Sequence, residues 1–164
     1  MHRAIQDFIN AQSPRMQCLE GALIAAAALR VYGHRPLLMD LRANDYDYDH
    51  VVALFRIDGH WGAISKTKYP VLRYREPIYK NVRELAMSYF HEYFLNDGTK
   101  TLRSYSDPFD LDKHYRGLWM FSRKAIPHIS GLLDRFPHYN LLKNRMIRNL
   151  RKADEIEIRA AKVR

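Results

Sequence analysis

The fifteen residues VVALFRIDGHWGAIS, 51 to 65, limit the fold more than any other stretch of the chain. Val51 to Ile57 is a short run, apolar on both faces, of the side chains that strands favour. Asp58-Gly59 follows, a dipeptide suited to a two-residue hairpin turn whose central residues need positive φ. His60 to Ser65 then returns antiparallel. With the turn at 58 and 59, paired positions sum to 117, so Thr67 falls opposite His50 and Ser65 opposite Val52. The two-residue alternation of a strand points His50, Val52, Ser65 and Thr67 to one face.

Around this hairpin the pattern changes period. Ala4, Ile5, Phe8 and Ile9 have the spacing of a short helix, and Ser13-Pro14 reads as the start of a second. That helix runs from Cys18 to about Tyr32, with an apolar face so wide that it is expected to be buried on most sides, and Gly33 stops it. Leu37 to Leu41 reads as a strand and 43–49 as a polar turn. Val82, Leu85, Ala86, Tyr89, Phe90, Tyr93 and Phe94 predict a three-turn helix ending near Asn96-Asp97-Gly98. Residues 99–115 read as loop, and 117–135 as helical pieces broken at Pro127. With no internal repeat, the expectation is one α+β domain over 1–139, followed by a helical, basic tail over 140–164.

Cys18 is the chain's only cysteine, which excludes an internal disulfide. The apolar run Ala22 to Leu29 is too short to span a bilayer, and MHRAIQDFIN lacks the layout of a signal peptide. A cytoplasmic protein without a membrane span is expected. The net charge is +9, and residues 140–164 hold eight Lys or Arg against three Asp or Glu, so just over half the excess sits there. Lys143, Arg145, Arg148, Arg151 and Lys152 are the candidates for contact with nucleic acid or another anionic partner. A solvated helical face is the plainer account of the same residues.

Two residues suggest chemistry. A thiol nucleophile needs stabilisation of the thiolate, a base within hydrogen-bond reach, and donors for an oxyanion. Cys18 gains the first if its helix starts just before it; a start at Pro14 puts it in the second turn, where the dipole has faded. His50, at the mouth of its strand, is the candidate base. Asp45, Asp47 and Asp49 have the spacing of a calcium loop, but His50 stands where that loop needs Gly and Arg56 where it needs Glu. The eight histidines have no metal-ligand spacing, so neither a metal nor a cofactor is expected.

The order C-x-E-G-A-x-x-x-A-A-x-L-R-x-x-G from Cys18, a strand, D-H-V-V-A-L-F, a tight turn and W-G-A-I-S resembles the transglutaminase-like branch of the papain-like cysteine hydrolases. The resemblance covers Cys18 to about Lys66. It implies a papain-like α+β core, with the Cys-bearing helix packed on an antiparallel sheet and helices after it. It further implies Cys18 as nucleophile, His50 as base, and Ser65 at or next to the place of an orienting Asp or Asn. A serine supplies no charge to the imidazolium, so a slow or impaired enzyme is expected unless Asp40, Asp45, Asp47 or Asp49 substitutes. The backbone amide of Cys18 is the implied oxyanion donor, and Gln12, six residues upstream, is a weaker one. The implied reaction is acyl transfer from, or hydrolysis of, a peptide, protein or small amide or ester through a Cys18 acyl-enzyme. A catalytically silent scaffold or binding module and an anion-binding protein are the alternatives.

Overall fold

A computed structural model describes residues 14–121 and 125–162, and of 14–17 the backbone alone. The expected helix near residues 4–9 and Gln12 lie outside the described residues. The chain is mixed α+β, with a seven-stranded antiparallel sheet and six described helices. In chain order the elements are α1 (Pro14–Val31), β1 (Leu37–Ala43), β2 (His50–Ile57), β3 (His60–Ile64), β4 (Tyr74–Tyr79), α2 (Val82–Met87), β5 (Leu102–Ser106), β6 (Phe109–Asp110), α3 (Leu111–Tyr115), α4 (Ala125–Arg135), β7 (His138–Asn140), α5 (Asn144–Arg148) and α6 (Glu155–Lys162). The strands lie in the order β4-β3-β2-β1-β5-β7, with β6 also paired to β1.

The hairpin register is the expected one, from Ile57 opposite His60 to Ala53 opposite Ile64. Asp58 and Gly59 take φ of 47° and 81°, which the right-handed twist of the flanking strands demands of a two-residue turn. β2 is buried over its first six residues because both faces are covered. Val51, Ala53 and Phe55 pack with Cys18, Leu19, Leu23 and Ala26 of α1 and with Ile126, Ile129 and Leu133 of α4. Val52 and Leu54 point the other way, into a second core with Leu85, Ala86, Tyr89, Phe90, Tyr93 and Leu102. Each large aliphatic side chain buried in either layer contributes about 1.5–3 kcal/mol.

Two bonds, Gly33 N–H to Arg30 O and His34 N–H to Leu29 O, close the C-terminal end of α1. Several expectations are corrected. The three-turn helix over 82–95 is one short helix and then a 3-10 turn at Phe90–Glu92, because the Ser88 hydroxyl donates to Leu85 O. Residues 99–115 are not loop: β5, β6 and α3 form there, and Leu102, Phe109 and Leu111 are fully buried. Pro127 does not break the chain into pieces: α4 runs through it from Ala125 to Arg135. Residues 138–142 belong to the sheet and its core, since Asn140 pairs with Ser104 and Leu141 and Leu142 are buried. Among the described residues no helix is long and apolar enough to cross a membrane.

Candidate active site

The site forms where the β2–β3 ladder ends. Past Ile64 the chain turns away, and the Ser65 N–H donates to Arg73 O at 2.8 Å instead of continuing the pairing. Beyond this point, side chains meet the polar groups at the mouth of β2. The Cys18 thiol donates to Asp49 O at 3.8 Å, and Sγ accepts the Val51 N–H at 3.5 Å. The sulfur therefore lies against the backbone on either side of His50.

The imidazole of His50 is tied back through its far nitrogen. Nε2 lies 3.0 Å from Ser65 Oγ, and the Ser65 hydroxyl donates to Leu72 O at 2.7 Å. The one serine proton is thus committed to the carbonyl, which assigns the hydrogen between Ser65 and His50 to Nε2 and leaves Nδ1 with its lone pair. Burial pushes the His50 pKa down to about 4, with the Leu72 carbonyl acting weakly the other way. The His50 ring is consequently uncharged at pH 7, not half of a thiolate–imidazolium pair.

Cys18 and His50 line one cleft of ≈ 540 Å³. Its walls come from the turn before β2 (Asp47, Tyr48, Asp49), the loop after β3 (Lys66 to Tyr69, Leu72, Arg73), the segment from Glu92 to Asn96, and Ala161 of α6. Tyr93 donates its hydroxyl to Tyr48 O, pinning the turn that carries Asp49. Burial pushes the Tyr93 phenol well above its ordinary range, and the neighbouring Asp47, Asp49, Cys18 and Asp40 add to the effect.

Two features bear on what the sequence leaves open. First, α1 is already helical at Pro14, so Cys18 stands at least one turn inside it, where amides bond back along the helix and the dipole gives a thiolate little help. The same placement weakens the Cys18 amide as an oxyanion donor. Second, α1 covers the face of Val51, Ala53 and Phe55, whereas the alternation sends His50 with Val52 to the opposite face. The thiol and the imidazole thus come from different faces of β2, and what they share is the cleft at its open end.

Of the four aspartates that could stand in for the missing acid, three have other partners and one is exposed. Asp40 Oδ2 pairs with His138 Nε2 at 3.1 Å, Asp47 accepts from the Tyr48 N–H and the Thr101 hydroxyl, Asp49 accepts from the Ala43 N–H, and Asp45 is exposed. Asp40, Asp49 and Asp134 do bring one carboxylate oxygen each within 4.8 Å of one another, a grouping that sequence spacing hides because it joins β1, the turn before β2 and α4. Of the basic residues, Lys143, Arg145 and Arg148 are exposed around α5, while Arg151 pairs with Glu157 and Lys152 with Asp97, both at 2.7 Å. Two of those five charges are thus neutralised within the protein. The sequence matches no family model and no curated protein.

Leu72 and Arg73 complete the site without standing out in the sequence. Their one signal is Tyr69-Pro70, which starts the 3-10 turn Pro70–Leu72 and so aims the Leu72 carbonyl at Ser65.

Proposed function

We propose that the chain is a thiol hydrolase or acyltransferase with a papain-like, transglutaminase-like core, in which Cys18 forms an acyl-enzyme with an amide or ester carbonyl. Nδ1 of neutral His50 takes the thiol proton as Sγ adds to the carbonyl carbon. The proton then passes to the departing amine or alcohol as that bond breaks, and water or a second nucleophile releases the acyl group by the reverse path. Ser65 holds the imidazole in the tautomer this requires, but supplies no charge to the imidazolium. The observation that carries the reading is the shared cleft, lined by the only cysteine and by a histidine whose far nitrogen is tied back to Ser65.

Alkylation by iodoacetamide between pH 5 and 8 tests it. An unassisted thiol loses reactivity about tenfold per pH unit below its pKa. Base assistance by a ring that stays neutral down to about pH 4 predicts a nearly flat profile for the wild type and the tenfold slope for His50→Gln. Equal slopes favour the second reading, a catalytically silent scaffold. The 4 % exposure of Cys18 and the seating of Sγ on strand backbone speak for that alternative.

A further inference from the structure

The cleft walls carry charge of both signs, held differently: the lining acids have hydrogen-bond or ion-pair partners, whereas the lining cations of one loop have no carboxylate partner. Among the lining acids, Glu92 is held by Arg75 at 2.7 Å, Asp47 accepts the Tyr48 N–H at 2.8 Å, and Asp49 accepts the Ala43 N–H at 2.9 Å. The lining cations Lys66 and Lys68 have no hydrogen bond or ion pair with a described residue, and Arg73 uses only Nε, on Thr67 O at 2.9 Å. All three come from one loop, the one whose Leu72 carbonyl holds Ser65 and, through it, His50.

Lys66 also lies against the helix that carries the thiol. Its Cβ packs so tightly on Gly21, one helical turn beyond Cys18, that a side chain at residue 21 would collide with it. From that base a flexible stem of about 6 Å lets the ammonium swing over the cleft mouth.

We propose, building on the thiol reading above, that the acyl donor carries an anionic group, carboxylate or phosphate, which the 66–73 loop binds at the mouth of the cleft. A ligand anion there neutralises unmatched charge and braces the loop on which the orientation of His50 depends. Binding and alignment of the base are then one event.

Paired substrates test this. The mono-p-nitrophenyl ester of glutarate and p-nitrophenyl valerate have acyl chains of equal length and differ in one terminal charge. At low salt the wild type is expected to favour the glutarate ester in kcat/KM by about tenfold, with the preference shrinking towards unity at about 0.5 M NaCl as the exposed charges are screened. Lys66→Met and Lys68→Met keep the stems and remove the charges. Each lowers the preference about threefold, the worth of one exposed ion pair. A preference near unity in the wild type, or one that survives both substitutions together, overturns the proposal.

Binding separates this claim from the chemistry. In Cys18→Ala, glutarate and inorganic phosphate are titrated while backbone amides are followed by NMR. Saturable shifts at 66–73 that vanish in the double Met variant support the anion site even if neither ester is hydrolysed, and the tighter of the two anions names the group. The absence of such shifts with both anions overturns the site whatever the fate of the esters.

Discussion

The two ends of the β2–β3 hairpin are built on opposite principles. At the closed end, backbone does everything: Asp58 and Gly59 turn the chain, and pairs from Ile57–His60 to Ala53–Ile64 hold it. At the open end the ladder stops, and side chains take over its bonds: Sγ accepts the Val51 N–H, and Ser65 bridges His50 to Leu72 O. A finished ladder leaves no polar group free for chemistry. An interrupted one exposes donors and acceptors that side chains must satisfy, and here the available side chains are a thiol, an imidazole and a hydroxyl.

That contrast can be broken from either end. Cys18→Ala at the open end is expected to abolish acyl transfer, a loss on the order of 10³-fold or more, and to lower stability by about 1–3 kcal/mol because the buried Val51 N–H loses its acceptor. Turnover of an activated ester together with a thermal melt checks both halves.

Acid gives the next largest effect. The folded His50 ring binds its proton less readily than the unfolded one, so the unfolded chain protonates first as pH falls through 6.5, and stability drops until the folded ring titrates at about 4. At ~1.4 kcal/mol for each pH unit of that window, about 3 kcal/mol is lost across it. Urea titrations at pH 7 and 4 should show the loss in the wild type and a smaller one in His50→Gln, since the glutamine has no such proton to bind.

Ser65→Ala sharpens the comparison further. It strands the buried Nε2–H without its acceptor, at a cost of about 1–3 kcal/mol, and is expected to slow alkylation of Cys18 because the ring loses its fixed tautomer. At the closed end, Gly59→Ala forces a side chain into φ +81° and costs about 1–2 kcal/mol, yet is expected to leave Cys18 reactivity at the wild-type value. A Gly59 variant that changed the alkylation profile would show that the two ends are not independent.

The closed end is legible in the sequence because everything it depends on is local: an Asp-Gly pair and two runs of strand-forming side chains. Much of α1 is legible for the same reason, through its period and Gly33. The open end is readable only as far as the register carries it, which brings His50 and Ser65 into reach of each other. What completes it comes from far along the chain. Leu72 and Arg73 arrive by a 3-10 turn set by Pro70, and Tyr93 arrives from a helix that unwinds early at Ser88. The face covered by α1 is hidden from the sequence for a related reason. β2 is apolar on both sides, so its pattern does not say which layer takes the helix, and only the packing of Val51, Ala53 and Phe55 decides. The Asp40, Asp49 and Asp134 grouping and the burial of Leu141 and Leu142 are likewise products of tertiary assembly.

Everything proposed for the site rests on Cys18 acting as nucleophile and His50 as base across the open end of β2. Intact-protein mass spectrometry after brief exposure to a p-nitrophenyl ester at pH 6 tests that pairing most directly. One acyl adduct, mapped to Cys18, is expected to form and then decay in the wild type and to form at least tenfold more slowly in His50→Gln. No adduct on Cys18, or equal rates in the two proteins, would contradict that pairing.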